Sequence, residues 1–179
     1  MFTRFTDAAR RTVIRAGTLA LEGGRPTLDT DLLLLALAET RPFTLDAFTA
    51  APETVREHVD TGDARALLAA LGIDLDEVRR RTRRGTDDPA SWRLGRTPLR
   101  PLRVVLYGPL GQIPLAMDTR KAVEVARWRP GPVTGERLLW GLLADGSNGT
   151  ARILRATGVD LATLVDEAAI PWHRRARSA

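Results

Sequence analysis

The residues able to do covalent chemistry are few in this 179-residue chain, and they are badly spaced for it. There is no cysteine, which excludes thiolate nucleophiles and disulfides. His58 and His173 lie far apart in sequence, and no His/Asp/Glu cluster has metal-ligand spacing, so a zinc site is not expected. The serines are Ser91, Ser147 and Ser178, none of them in a Gly-x-Ser-x-Gly elbow. No Gly-x-x-x-x-Gly-Lys-[Ser/Thr] loop is present to cradle nucleotide phosphates. What remains is charge. The net charge is +5 and is carried by arginine, with Lys121 the only lysine. The runs Arg79–Arg84 and His173–Arg177 have the chemistry to touch phosphates. Their ordinary reading is a solvated helix end and a frayed tail. The acids are more telling: Asp31 and Glu136 stand at matching places in two similar stretches. An acid in the first turn of a helix offsets the helix dipole. Recurrence at matching places singles these two out, and on the residues alone their reading is that dipole compensation.

The elements that must position them come from an internal repeat. Leu67-Leu68-Ala69-Ala70-Leu71-Gly72-Ile73-Asp74-Leu75 recurs as Ile153-Leu154-Arg155-Ala156-Thr157-Gly158-Val159-Asp160-Leu161, at an offset of 86. Thr30–Leu37 matches Gly135–Leu142 at an offset of 105, and Arg10–Val13 matches Arg120–Val123 at 110. Repeat two therefore lacks five residues between its first and second helices. Repeat one gains nineteen between its second and third, around Thr40–Gly62. Such length changes belong in connections rather than in packed helices.

Apolar positions Ala9, Val13, Ala16 and Ala20 predict a helix over 6–22, capped by Thr6 and ended by Gly23-Gly24. A leucine-rich helix is predicted from Asp31 to Glu39 with Thr30 as its cap, and further helices over 63–71 and 74–83. In the insertion, Leu45–Ala50 and Glu53–Val59 are expected as one or two short helices. Repeat two is expected to open near Pro114, with helices over 115–128, 135–144, 148–157 and 160–168. Trp140 is expected to fill core volume, and Trp92, Trp128 and Trp172 to pack in the core or at its edge. Arg103–Tyr107 reads as a short extended piece, but one strand without a partner is marginal. The expected class is therefore all-α. The expected layout is repeat one over 1–84 with an insertion at about 40–62, a linker over 85–112, repeat two over 113–170 and a basic tail over 171–179. No apolar run approaches the roughly 20 residues of a membrane span, and no signal region follows the N-terminus. A soluble cytoplasmic protein is expected.

Met1-Phe2-Thr3-Arg4-Phe5-Thr6-Asp7-Ala8-Ala9-Arg10-Arg11 resembles the opening of the Clp N-terminal domain, as in ClpC. So do Thr30-Asp31-x-Leu33-Leu34-x-Ala36-Leu37, Gly111-Gln112-Ile113-Pro114 and Glu136-x-Leu138-Leu139-x-Gly141-Leu142. The resemblance implies two four-helix repeats about a pseudo-twofold axis, here without the AAA+ ATPase ring such domains normally precede. It also implies a non-enzymatic docking module without cofactor or metal. Its partners would be Clp substrates or adaptors, or a Clp ATPase itself, and arginine-phosphorylated peptides. Under the resemblance, Asp31 and Glu136 receive the guanidinium of phosphoarginine, with Arg4, Thr6 and Thr30 beside them. Asp31 replaces a glutamate, and Ala116 stands where a partner of Thr6 is expected, so the first site reads as the fuller one. Phe2, Val13 and Leu115 mark a hydrophobic peptide surface, although Leu115 replaces the expected aromatic. The alternatives are a basic nucleic-acid-associated regulator, with nucleic acid the weaker partner, and a decoy for cyclic peptides that target ClpC.

Overall fold

The computed structural model describes residues 2–59, 89–97, 100–109 and 111–168. Helix α1 (Asp7–Glu22) starts where Thr6 accepts a hydrogen bond from the Ala9 N–H and stops at Gly23. Its apolar stripe of Ala9, Val13, Ala16 and Ala20 is buried. Helix α2 (Thr30–Thr40) runs through the centre, with Leu32 to Ala38 all buried. Its cap is Asp29, not Thr30. The Asp29 carboxylate accepts from Leu32 N at 3.0 Å, and the Thr30 hydroxyl turns instead toward Asp118, 3.4 Å away. Either residue type caps well; here the carboxylate won the position.

The second half repeats this hairpin with α4 (Met117–Trp128) and α5 (Gly135–Ala144). Helices α6 (Thr150–Ala156) and α7 (Leu161–Glu167) follow. Gly158 joins them at φ +81°, a left-handed turn that favours glycine. Asp160 caps α7 through Ala162 N at 3.0 Å. The repeated Gly-x-Asp is thus a turn followed by a cap. Its first copy, the helices expected over 63–71 and 74–83, and the basic tail lie outside the described residues.

Two isolated parallel bridges stitch the halves together, Phe5 to Val133 and Leu28 to Leu115. They are equivalent under the repeat offsets: Phe5 matches Leu115, and Leu28 matches Val133. The chain entering the first helix of each half lies beside the chain entering the second helix of the other.

The expected all-α class needs correction. The stretch between the halves folds into an antiparallel sheet of three strands in the order β1-β2-β3, namely β1 (Arg93–Thr97), β2 (Arg100–Gly108) and β3 (Gly111–Pro114). Leu94, Leu106 and Ile113 align across it and are buried in one row. Against that row lies Gly17 of α1, where a Cβ would fall under 3.0 Å from the Leu106 side chain. Trp92, fully buried, lies across Gly108. Three strands on a helix are stable where one is not, so this connection is a core layer rather than a spacer. Pro114 ends β3 instead of opening a helix, and α4 begins at Met117.

The insertion contains one described helix, α3 (Pro52–Glu57); Leu45–Ala50 is irregular but buries Phe48 and Ala50. Arg41, left-handed at φ 44° as the α2 C-cap, donates to the carbonyls of Phe48 at 2.6 Å and Ala50 at 3.0 Å. Glu39 pairs with Arg15 of α1 and Arg56 of α3. From the far half, the Glu167 carboxylate accepts from the N–H groups of Asp46 and Ala47, both at 2.7 Å. Trp140 is another correction: it is half-buried, with the Arg129 guanidinium 5.2 Å over its ring.

Candidate functional site

Asp31 stands in the first turn of α2, half-buried. Gly149, at the entry to α6, leaves it room, since a Cβ there would sit 3.3 Å from Asp31 Oδ1 and 3.4 Å from an Arg152 nitrogen. Asp118 reaches the same place from the first turn of α4, bonded to Thr30. Arg25 holds Asp29 at 2.7 Å. Burial raises the Asp31 pKa, the charges of Asp29 and Asp118 raise it further, and Arg152 and Arg25 oppose them. The surroundings of Asp31 thus hold two further carboxylates, Asp29 and Asp118, against the guanidinium groups of Arg25 and Arg152.

Glu136 holds the equivalent place in α5. It lines an open cleft of about 610 Å³ with Ala8, Arg11, Arg41, Pro42 and Thr44. Pro42 presses on Gly135, where a Cβ would fall under 3.0 Å from the proline. Under the 110-residue offset Ala8 is the counterpart of Asp118. The second carboxylate of the Asp31 cleft is thus replaced by a methyl group here, and two arginines line the wall. The insertion shapes this cleft: Arg41 to Thr44 are its rim. The two acids occupy matching places in different surroundings: further carboxylates with two arginines around Asp31, and arginines without a second acid around Glu136.

Arg4 and Thr6 sit on the Glu136 side. Thr6 N donates to the Val133 carbonyl at 3.0 Å, and Val133 N donates to the Arg4 carbonyl at 2.6 Å. On the Asp31 side, Ala116 N donates to the Leu28 carbonyl at 2.8 Å. The crossing of the two halves exchanges the neighbours, so the chain carrying Ala116 faces Asp31 and the chain carrying Thr6 faces Glu136. Both Arg4 and Thr6 are held by local hydrogen bonds. The Thr6 hydroxyl caps α1 through Ala9 N. The Arg4 guanidinium donates to the carbonyls of Arg127, Arg129 and Gly131. Thr30 is buried and bonded to Asp118.

Phe2, Val13 and Leu115 do not form an exposed peptide surface, being 9%, 1% and 7% exposed. Phe2 and Phe5 pack edge to face at 5.2 Å, and Val13 lies on the core face of α1. Apolar side chains at these positions seat the first turn of the chain against the core.

Sequence reasoning missed Asp118, Arg11 and Arg152. The offset pairing Arg10 with Arg120 also pairs Ala8 with Asp118, and that mismatch was the available signal. Arg152 comes from a helix outside the aligned hairpins and left no signal. His58 is exposed, its Nδ1 2.9 Å from the Thr54 carbonyl. Among the described residues no group of three His, Cys, Asp or Glu converges as metal ligands. Among them, too, no helix is long and apolar enough to cross a membrane.

No protein-family model matches the sequence, and no curated protein matches it. Among solved structures the chain is similar to the N-terminal domain of the caseinolytic-protease-associated chaperone ClpD from Arabidopsis thaliana. The identity is 19%, the TM-score 0.50, and the match covers 94% of each chain. The chain thus has the fold of a Clp N-terminal domain.

Proposed function

We propose that this chain is a non-enzymatic docking module of the Clp type. It binds protein substrates or adaptors of a Clp proteolytic system through arginine-type side chains. The observation that carries this reading is the Glu136 cleft: a first-turn carboxylate and Arg11 lining one cleft, with Ala8 from the first half and Glu136 from the second. A carboxylate accepts a guanidinium as a bidentate fork. A phosphate carried on that guanidinium would meet Arg11 rather than another acid. The Glu136 cleft accordingly takes phosphoarginine. The Asp31 site, where Asp31, Asp29 and Asp118 outnumber Arg25 and Arg152, favours an unmodified guanidinium over a phosphate. The exchange of neighbours thus moves the phosphoarginine site from the first acid to the second.

Calorimetric titration of phosphoarginine and of arginine into wild type, Glu136→Ala, Arg11→Ala and Asp31→Ala tests the assignment. Phosphoarginine binding is expected to fail in Glu136→Ala, weaken in Arg11→Ala and persist in Asp31→Ala. Binding that depends on Asp31 alone would overturn the assignment of clefts. Absence of binding to either compound by folded wild type would overturn the arginine reading.

A further inference from the structure

The sequence reads Trp128 as a packing residue, but its side chain is 83% exposed. On α4 it falls on one stripe with Met117, Lys121 and Val125, since positions four, eight and eleven apart share a helix face. Met117 is 61% exposed. The two large apolar side chains lie about 16 Å apart along the axis at 1.5 Å per residue, with the half-buried Val125 between them. The matching residues of α1 are Asp7, Arg11, Arg15 and Thr18, so the stripe belongs to one repeat and does not follow from the fold. Beside it runs a groove lined by Arg4, Glu124, Val125, Arg127 and Trp128.

The charge around this stripe is one-sided. Arg4, Arg127, Arg129 and Arg137 form no ion pair among the described residues. Arg4 and Arg137 donate only to the backbone carbonyls of 127–131. Arg129 covers Trp140, and the buried Nε of Arg127 has no hydrogen-bond partner. The one acid of the groove, Glu124, is already neutralised by Arg120 at 3.0 Å and Arg96 at 3.6 Å. An exposed tryptophan ringed by arginines has the composition of an interface anchor. Lys121 interrupts the stripe between Met117 and Val125 and pairs with Asp145 at 3.6 Å; the apolar positions on either side of it still fall at the spacing of one face of a docked helix.

We propose that the outer face of α4 docks an acidic amphipathic helix of a partner protein. The partner's apolar stripe lies along Met117, Val125 and Trp128, and its carboxylates face Arg127 and Arg129. Apolar contacts at Met117 and Val125 on the face of Trp128 favour a helix over a nucleic acid strand, which would use the tryptophan and the basic side chains but not Met117 or Val125.

The test is selection of binders from a displayed library of 18-residue helical peptides on wild-type protein, with counter-selection on Trp128→Ala. Recovered peptides are expected to carry apolar residues at helical spacing flanked by Asp and Glu. A synthetic representative is expected to bind at least tenfold more weakly to Trp128→Ala, and more weakly to Arg129→Glu and in higher salt. Far-UV circular dichroism and undiminished phosphoarginine binding by both variants separate this surface from the Glu136 cleft. Any of four results would overturn the proposal. These are no binder that depends on Trp128, recovered peptides that are basic or uncharged, duplex DNA binding that depends on Trp128 and outcompetes the peptide, or a wild-type dimer that Trp128→Ala dissolves.

Discussion

Replacing Glu167 with alanine is expected to release the insertion locally while leaving the rest of the fold in place. The Glu167 carboxylate is the acceptor for two adjacent backbone N–H groups, both at 2.7 Å, in a loop 120 residues away in sequence. A hydrogen bond to a charged group contributes about 1.5–3 kcal/mol when shielded from water. These two are exposed, so solvent screening takes the pair to about 2 kcal/mol in total. That corresponds to a roughly thirtyfold larger opening equilibrium constant for the segment. The loop keeps its other moorings. Phe48 is 1% exposed, and Arg41 holds the carbonyls of Phe48 and Ala50. Hydrogen exchange read by mass spectrometry should therefore show lost protection confined to peptides spanning 43–50. Glu167→Gln keeps one acceptor oxygen but sets its amide NH2 against the other N–H, so it is expected to lose nearly as much protection as Glu167→Ala. Because Arg41 to Thr44 form the rim of the Glu136 cleft, ligand affinity there should fall in Glu167→Ala while the Asp31 cleft is unaffected. Unchanged exchange over 43–50, or a loss spread evenly through α1 and α2, would refute the clamp.

Gly141→Ala would place a Cβ under 3.0 Å from the backbone of Ala122. Parting α4 from α5 should cost about 3 kcal/mol, read in a urea titration. Arg4→Met should lose about 2 kcal/mol, because the carbonyls of Arg127, Arg129 and Gly131 lose their charged donor. Asp31→Asn should raise the melting temperature at pH 7. A carboxyl whose native pKa lies above its unfolded value of 3.8 is disfavoured when charged, so the native state gives up stability as pH rises through that window. The gain from Asn should therefore shrink as pH falls toward 3.8 and vanish below it. Asp118→Ala makes the Asp31 cleft resemble its counterpart; it should lower the Asp31 pKa, read by NMR titration, and admit phosphoarginine there.

The helices of the two hairpins were legible because local chemistry fixes them. Thr6 followed by an alanine and valine stripe, Gly23 after Glu22, and the unbroken leucines of α2 need no tertiary information. The sheet was not legible for the opposite reason. Arg93-Leu-Gly-Arg-Thr97 and Gly111-Gln-Ile-Pro114 are each too short and irregular to read as strands. They become strands only because Leu94, Leu106 and Ile113 align against Gly17 of α1. Asp29 and Thr30 are neighbouring cap residues, and only the position of Asp118 decides between them. The two acids of the candidate site were visible as a repeat, whereas their neighbours were not. Which chain start faces which acid depends on the Phe5–Val133 and Leu28–Leu115 bridges, and those are contacts between halves. Val13 was rightly placed on an apolar helical stripe, and that placement already put it in the core rather than on a peptide-binding surface.

The most direct test of the central claim is the titration of phosphoarginine into Glu136→Ala and Asp31→Ala side by side. Divergent clefts predict that binding disappears in Glu136→Ala and survives in Asp31→Ala. Loss in Asp31→Ala with retention in Glu136→Ala would contradict the account.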